Sequence, residues 1–274
     1  MRIGRGPVPR VSGLVKIMYK QLNYLWRLAG TGIAFVSFAL GGLFLTVVIF
    51  KLIAAVTPDE NLRIKRVRHV IYTTFRLFVF MLRISGVINS RFYAVEQLNE
   101  CRGALIVANH PSLLDTVFLM SRMPNVQCII KHELWENKFL GGVLRAAGYI
   151  RNDGDVQRLL EQCKNTLEKG QNILIFPEGT RTVPGQKIKF QRGFANIAVY
   201  FSTPIQLVTI KCDPSTLAKG SPWYDIPSRQ SLFEITFDEQ LDMRDYLRHE
   251  PRSIKVRRLT NELEQYYGRK LSYE

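Results

Sequence analysis

Residues 28–50 constrain the fold of this chain most, because this segment carries no charged side chain over 23 positions. A helix of that length reaches roughly 34 Å, enough to cross the hydrocarbon core of a bilayer. A buried helix of a soluble protein is a weaker explanation, since such helices are seldom apolar on all sides. A secretory signal peptide fits poorly, because the apolar run is long and 27 residues precede it. We therefore expect a hydrophobic helical membrane anchor.

The topology of this anchor stays open. Six basic residues precede the segment and five follow it closely, so the positive-inside rule favours neither orientation. Glycines at positions 30, 32, 41 and 42 interrupt the run. A bent helix with both ends on the cytosolic side is therefore an alternative to a full span.

Charge divides the chain into two parts. The net charge is +15 overall, and residues 1–91 hold 14 Lys and Arg against 2 acidic residues, which leaves only +3 for residues 92–274. We expect a basic tail with membrane-anchoring helices in residues 1–91 and a globular domain in residues 92–274. A basic excess of this size requires an anionic partner, such as lipid head groups or nucleic acid.

Residues 67–88 form a second apolar stretch of a different kind. Three arginines, Arg68, Arg76 and Arg83, interrupt a run of aliphatic and aromatic side chains. The pattern favours a helix lying at a membrane interface, where its arginines would meet anionic lipid. An amphipathic helix docked on the domain is the alternative, because periodicity does not separate the two.

The rest of the chain alternates short apolar runs with amphipathic segments. Residues 89–102 read as a polar hinge into this domain. We expect strands at 104–108, 126–130, 172–176, 204–210 and 233–237, and helices at 133–147, 156–169 and 251–267. This alternation predicts an α/β domain with a mixed, largely parallel sheet flanked by helices.

Two polar clusters follow expected strands. His110 comes directly after the first strand, and Asp115 lies five residues further along, inside an expected helix. A carboxylate at that spacing reaches the imidazole, fixes its tautomer and stabilises the cation that forms when His takes a proton. Taken alone, such a pair is better explained by a structural contact that holds a turn.

The second cluster is Glu178, Gly179, Thr180 and Arg181, after the strand at 172–176. A glycine turn with backbone N–H groups, a hydroxyl and a guanidinium suits a phosphate. Glu178 does not suit that phosphate, so we expect it to orient a neighbouring side chain or the turn. Arg151 ends a strand-like segment that we expect to neighbour the strand of Arg181, so that it reaches the same place, and it is the second candidate phosphate ligand.

Together these clusters resemble the lysophospholipid acyltransferase family, whose members include the 1-acyl-sn-glycerol-3-phosphate acyltransferases. The resemblance rests on Asn109, His110 and Asp115 followed some 68 residues later by Phe176 to Arg181, and it covers roughly residues 70–215. Lys189 to Gly193 and Thr203 to Val208 are similar to two further blocks of that family. The block containing Gly148 and Arg151 is shorter than the family's usual form, which leaves open the identity of the lipid that accepts the acyl group.

The resemblance implies transfer of a fatty acyl group from acyl-CoA or acyl carrier protein to a lysophospholipid hydroxyl, with lysophosphatidic acid as the expected acceptor. His110 and Asp115 would be catalytic, and Arg151, Glu178, Gly179, Thr180 and Arg181 would form the substrate site. Direct transfer is favoured because no Ser or Cys lies in a nucleophile motif. We expect attachment to the inner or cytoplasmic membrane with the active site facing the cytosol.

No cofactor or metal is expected beyond the thioester co-substrate. The four cysteines are isolated and no Cys–His cluster has zinc spacing, which fits reduced thiols in a cytosol-facing domain. Two alternatives stay open: the same chemistry on a lyso-aminolipid, polyene lipid or glycolipid, and a non-catalytic lipid- or nucleic-acid-binding protein. We expect no nucleic-acid partner, because nothing in that alternative needs His110 and Asp115.

Overall fold

The computed structural model describes residues 13–246 and 250–271 of the chain. The helices are α1 (Gly13–Phe44), α2 (Phe50–Ala55), α3 (Glu60–Ile84), α4 (Gln97–Glu100), α5 (Asp115–Met120), α6 (His132–Trp135), α7 (Gly141–Ala146), α8 (Val156–Glu168), α9 (Gly193–Phe201) and α10 (Arg252–Leu271). A π-helical segment, Leu45–Ile49, joins α1 to α2, and a 3-10 turn covers Met243–Tyr246. Arg2, Arg5 and Arg10 of the basic tail lie outside the described residues.

Seven strands form one sheet within the described residues. They are β1 (Ile88–Tyr93), β2 (Leu105–Ala108), β3 (Gln127–Lys131), β4 (Ile150–Asn152), β5 (Ile173–Ile175), β6 (Ile205–Asp213) and β7 (Ser231–Leu241). Their order is β1-β7-β6-β2-β5-β3-β4. Only the β6–β7 pair is antiparallel. The predicted mixed, largely parallel sheet is therefore confirmed.

Helices cover both faces of the sheet. All four residues of β2 are buried, as expected for a central parallel strand that packs on both sides. One core joins α3 and α5 to side chains such as Ile106, and the other joins α8, α9 and α10 to side chains such as Leu105. Successive residues of β2 therefore point into different cores.

Helices α1 and α3 run antiparallel and pack against each other. Asp59 caps α3, because its carboxylate accepts the Leu62 N–H at 2.7 Å. Near one end of the pair, the Trp26 indole N–H donates to the Ser85 carbonyl at 2.7 Å. In the middle, the ring of Phe38 packs against Phe78 with 5.5 Å between ring centroids. The first helix therefore lies along the domain rather than projecting from it.

One helix among the described residues is long and apolar enough to cross a membrane. It runs over Val15–Ala55, 41 residues including the π-helical segment. Only 11% of its most apolar 18-residue stretch is buried. One side packs on α3. The opposite side is exposed and carries a continuous row of apolar side chains: Leu22, Leu25, Ile33, Val36, Leu40, Leu43 and Val47. We call this row the apolar stripe.

For residues 67–88 the structure shows the packing of the alternative, and contact of this segment with a membrane interface stays a prediction. Helix α3 is docked on the domain, and Val67, Ile71 and Leu82 are buried. Arg68 is buried too and donates to the carbonyl oxygens of Ala147 at 2.8 Å and Gly148 at 3.1 Å. Its cation therefore holds the domain together, whereas we expected it to face lipid.

Two predictions about elements were wrong. Residues 89–102 are not simply a hinge, because they begin inside β1, which pairs with β7. The expected helix at 133–147 is interrupted between α6 and α7. Asn137 stops it, because its side-chain oxygen accepts the N–H groups of Phe139 and Leu140. The division at residues 91 and 92 stays a prediction, and β1 runs across it.

Candidate active site

The candidate site lies at the carboxyl ends of β2 and β5, which are neighbours in the sheet. His110 follows the end of β2 at Ala108, and Glu178 follows the end of β5 at Ile175. Asn109 fixes the first of these turns, because its amide bonds both the carbonyl and the N–H of Ile210 on β6, at 2.8 and 2.7 Å. In open α/β sheets this edge is where ligands bind.

His110 and Asp115 are in direct contact. The imidazole Nδ1 lies 2.8 Å from the Asp115 Oδ2 atom. The same oxygen accepts the Ser112 N–H at 2.7 Å, which ties the start of α5 to the turn. The Asp115 side chain is fully buried, whereas that of His110 is 17% exposed. Because Nδ1 faces the carboxylate, Nε2 is the nitrogen left for a reacting hydroxyl.

Residues after β5 hold His110 from the other side. Glu178 Oε1 accepts the His110 N–H at 2.7 Å, and the Thr182 N–H donates to the His110 carbonyl at 2.9 Å. The ring of Phe176 stacks on the imidazole, with 4.1 Å between centroids and 21° between planes. Glu178 therefore orients the backbone of the histidine, in the manner expected from the sequence.

Burial shifts the pKa of both carboxyl groups. It raises the pKa of Asp115, against the opposing effects of the His110 hydrogen bond and charge, the Ser112 N–H and the Arg181 charge. It raises the pKa of Glu178 to about 7, against the effect of the His110 N–H, and the neighbouring Asp115 charge adds to this rise. Among the described residues, Glu178 Oε2 has no hydrogen-bond partner. Burial without a second partner therefore favours the protonated form of Glu178.

The glycine of the second cluster is required by the backbone. Gly179 has φ of +68°, and its N–H donates to the Phe176 carbonyl at 3.0 Å, closing a tight turn. The turn leaves the Thr180 side chain exposed beside the site.

Arg181 is half-buried and anchored through one nitrogen. Its Nη1 atom donates to the carbonyls of Leu217 at 2.8 Å and Ala218 at 3.1 Å, in the loop between β6 and β7. Its charge acts on Asp115, which places the guanidinium near the histidine.

Arg151 lies elsewhere. We expected its strand to be next to that of Arg181, and this was wrong, because β3 separates β4 from β5. Its guanidinium lies 2.9 Å from the His132 Nδ1 atom, 3.4 Å from a Glu136 oxygen and 3.5 Å from an Asp153 oxygen. Carboxylates already surround this cation, so the structure does not bring it together with His110.

Sequence reasoning missed two features of the site. Lys131 ends β3, one strand closer to β5 than Arg151, and its side chain is exposed. Its position at a strand end was the signal that could have found it. The loop after β6 also braces the site, because the Ser112 hydroxyl donates to the Thr216 carbonyl at 3.0 Å and the Leu113 N–H donates to the Leu217 carbonyl at 3.1 Å. No local sequence pattern signals that contact.

No metal-binding group of three or more His, Cys, Asp and Glu side chains occurs within the described ranges. An imidazole paired with a buried carboxylate at a sheet edge is an arrangement that can act as a general base. Comparison with known proteins identifies the class. A protein-family model described as Acyltransferase matches residues 89–211, which include both clusters.

Individual relatives narrow this class to a family. A 1-acyl-sn-glycerol-3-phosphate acyltransferase of Helicobacter pylori is 41% identical over 163 residues, covering 53% of this chain and 69% of that protein. One from Pseudomonas aeruginosa is 30% identical over 51% of this chain and 56% of its own length. The crystal structure of the 1-acyl-sn-glycerophosphate acyltransferase PlsC from Thermotoga maritima has the same fold, with a TM-score of 0.61 and 20% identity over 94% of this chain and 98% of that one. The chain belongs to the family of 1-acyl-sn-glycerol-3-phosphate acyltransferases and is an O-acyltransferase.

Proposed function

We propose that this enzyme transfers a fatty acyl group from acyl-CoA or acyl carrier protein to lysophosphatidic acid, giving phosphatidic acid for phospholipid synthesis. The observation that carries the proposal is the contact of His110 Nδ1 with Asp115 at 2.8 Å, at a strand end where Nε2 stays available. The Helicobacter and Pseudomonas relatives, both named 1-acyl-sn-glycerol-3-phosphate acyltransferases, support this choice of acceptor.

The reaction needs one base. The hydroxyl oxygen of the acceptor attacks the thioester carbonyl carbon while His110 Nε2 takes its proton, and Asp115 stabilises the imidazolium. The tetrahedral intermediate then expels the thiolate, which recovers that proton as a free thiol. The new ester bond forms without an acyl-enzyme, and the step needs no metal or cofactor.

Arg181 is our candidate for the acceptor phosphate. Its Nη1 atom holds the Leu217 and Ala218 carbonyls, so Nε and Nη2 provide the edge that a phosphate can bind. Gly179 and Thr180 line the same turn, and Lys131 adds a second exposed cation at the neighbouring strand end. Arg151 is a weaker candidate than the sequence suggested, because Glu136 and Asp153 compensate its charge.

We also propose that the enzyme binds the membrane through the apolar stripe of α1, on the inner or cytoplasmic membrane with the active site facing the cytosol. A soluble protein rarely exposes so continuous an apolar surface. Because α1 packs along α3 and α3 packs on the domain, an orientation in the plane of the membrane fits better than a span.

A second acceptor deserves a test. A lyso-ornithine lipid O-acyltransferase of Rhodobacter capsulatus is 27% identical over 52% of this chain and 58% of its own length. An acceptor without a phosphomonoester would leave Arg181 without its proposed ligand.

The test is a two-substrate assay on the purified full-length protein. Acyl-CoA and acyl carrier protein thioesters are each offered with lysophosphatidic acid, lyso-ornithine lipid and an uncharged lysolipid, and the products are read by mass spectrometry. We expect phosphatidic acid as the main product. Preference for lyso-ornithine lipid or for the uncharged acceptor contradicts the proposal.

A further inference from the structure

We propose that residues 216–228, the loop between β6 and β7, form a second lipid-contacting element that inserts Trp223 and Tyr224 into the interfacial layer of the membrane. We call this segment the aromatic loop. The inference rests on the membrane attachment proposed above. It adds a contact made by the catalytic domain itself, and a route by which that contact reaches the active site.

The tip of the aromatic loop lies against the membrane-facing helix. The Trp223 and Phe35 ring centroids are 6.0 Å apart. The Trp223 ring also packs against Gly32, where a Cβ atom would lie 3.3 Å from the nearest ring carbon. Trp223 is nevertheless 46% exposed, and the adjacent Tyr224 is 58% exposed. Two large aromatic side chains thus stay open to the surroundings beside α1.

The surface next to these side chains identifies what covers them. Ile33 and Val36, on the same stretch of α1, belong to the apolar stripe, so the aromatic loop widens that stripe. Trp and Tyr are the residues that concentrate at membrane–water interfaces, where an apolar ring meets lipid and a polar edge meets water. A lipid surface, the occupant of the apolar stripe, therefore covers the loop as well.

The base of the same loop holds the active site. The Leu217 carbonyl accepts the Leu113 N–H and the Arg181 Nη1 group together. To present this oxygen, Leu217 adopts a φ of +52°, in the left-handed region that leucine rarely occupies. Such a conformation persists where its surroundings enforce it, and here it joins the loop to both sides of the site.

The far end of the loop is fixed to the membrane helix. Arg27 of α1 is 2% exposed, and its Nη2 atom donates to the carbonyls of Pro227 and Ser228, each at 2.9 Å. The aromatic loop is thus held to α1 at one end and to the His110–Asp115 turn at the other. Insertion of its tip would keep the mouth of the active site against the lipid that supplies the acceptor.

Tryptophan fluorescence tests the insertion directly. In full-length protein with Trp26→Phe and Trp135→Phe, Trp223 is the only tryptophan left. After reconstitution into phospholipid vesicles, we expect lipids brominated on their acyl chains to quench Trp223 strongly. Aqueous iodide should quench Trp223 several-fold less in these vesicles than in protein that has neither lipid nor detergent.

Tyr200 provides the matched control. It is 55% exposed and lies on α9, on the opposite face of the sheet. In a background where all three tryptophans are Phe, Tyr200→Trp should be quenched by iodide and not by brominated lipid. Equal behaviour of the two probes, or a Trp223 that only iodide quenches, overturns the proposal.

Activity provides the second readout. The double variant Trp223→Ser, Tyr224→Ser should lose about tenfold in turnover of long-chain lysophosphatidic acid presented in vesicles, the loss expected from removing a buried aromatic contact. Its turnover of a short-chain, monomeric acceptor should be unchanged, and Tyr200→Ser should affect neither. Equal losses on both acceptors mean that the loop supports only the site, and this overturns the proposal. If wild-type protein turns over neither acceptor, the proposed function fails, whatever the fluorescence shows.

Discussion

At the scale of single residues, four neighbours hold His110 in place. Asp115 takes its Nδ1 atom, Glu178 takes its N–H, Thr182 binds its carbonyl and Phe176 covers one face of its ring. A base fixed in this way loses little freedom when it accepts a proton, which is what general-base catalysis requires. Neighbours from two strand ends therefore fix the geometry of the proposed base.

Glu178 predicts how stability depends on pH. Its pKa in the folded protein is about 7, above the ordinary value of 4.5, so the folded state favours the protonated acid. The resulting stabilisation is present below about pH 4.5 and is lost as the pH rises through about 7, by up to about 3 kcal/mol. We expect Glu178→Gln to gain thermal stability relative to wild type as the pH rises over that window. A difference between the two proteins that does not change with pH contradicts this prediction.

Arg181 predicts a selective kinetic defect. Arg181→Lys should raise the acceptor KM for lysophosphatidic acid about tenfold or more, because a lysine does not reproduce the guanidinium's paired bonds to phosphate. The donor KM should barely move. Arg151→Lys is the control and should have a smaller effect, since its charge is already paired with Glu136 and Asp153. If Arg181→Lys raises the KM for lysophosphatidic acid and for an uncharged acceptor equally, Arg181 supports the structure and does not bind the phosphate.

At the scale of elements, the sequence predicted the helices and strands whose formation depends on residues close together in the chain. Asp155, directly before the helix expected at 156–169, caps α8 by accepting the Arg158 N–H at 3.0 Å, and β2, expected as an apolar strand, is buried throughout. The position of Arg151 depended on strand order, which no short pattern encodes. The same holds for Arg68, because its burial follows from carbonyls that lie about 80 residues away along the chain. Contacts between distant segments are thus what the sequence left undetermined.

The apolar stripe of α1 predicts how the protein partitions. Val36→Asp with Leu40→Asp should shift much of the enzyme from membrane pellet to supernatant, because each change places a charge where lipid is expected, at a cost of a few kcal/mol. Both positions are exposed, so folding should survive. Val156→Asp, an exposed position at the start of α8 on the opposite face, is the control and should stay membrane-bound. Full retention of the double variant in the pellet would show that the stripe is not the anchor.

At the scale of the whole molecule, the two faces of the sheet are covered by different sets of helices. The face with α8, α9 and α10 closes the second core, whereas α3 on the other face carries α1 and its apolar stripe. The active site opens between these layers, at the edge where β2 and β5 end. Under the proposed membrane attachment, an enzyme built this way would take its lipid acceptor from the membrane while its thioester donor arrives from water.

The central claim of the proposed mechanism is that His110 is the general base, and its most direct test is turnover and acceptor binding by His110→Ala in the full-length enzyme. We expect lysophosphatidic acid to bind with nearly unchanged affinity, while turnover to phosphatidic acid falls by about two to four orders of magnitude, the span of general-base catalysis. Asp115→Asn should show a smaller loss in the same direction, because it removes the charge that stabilises the imidazolium. Near-normal turnover by His110→Ala would contradict the account.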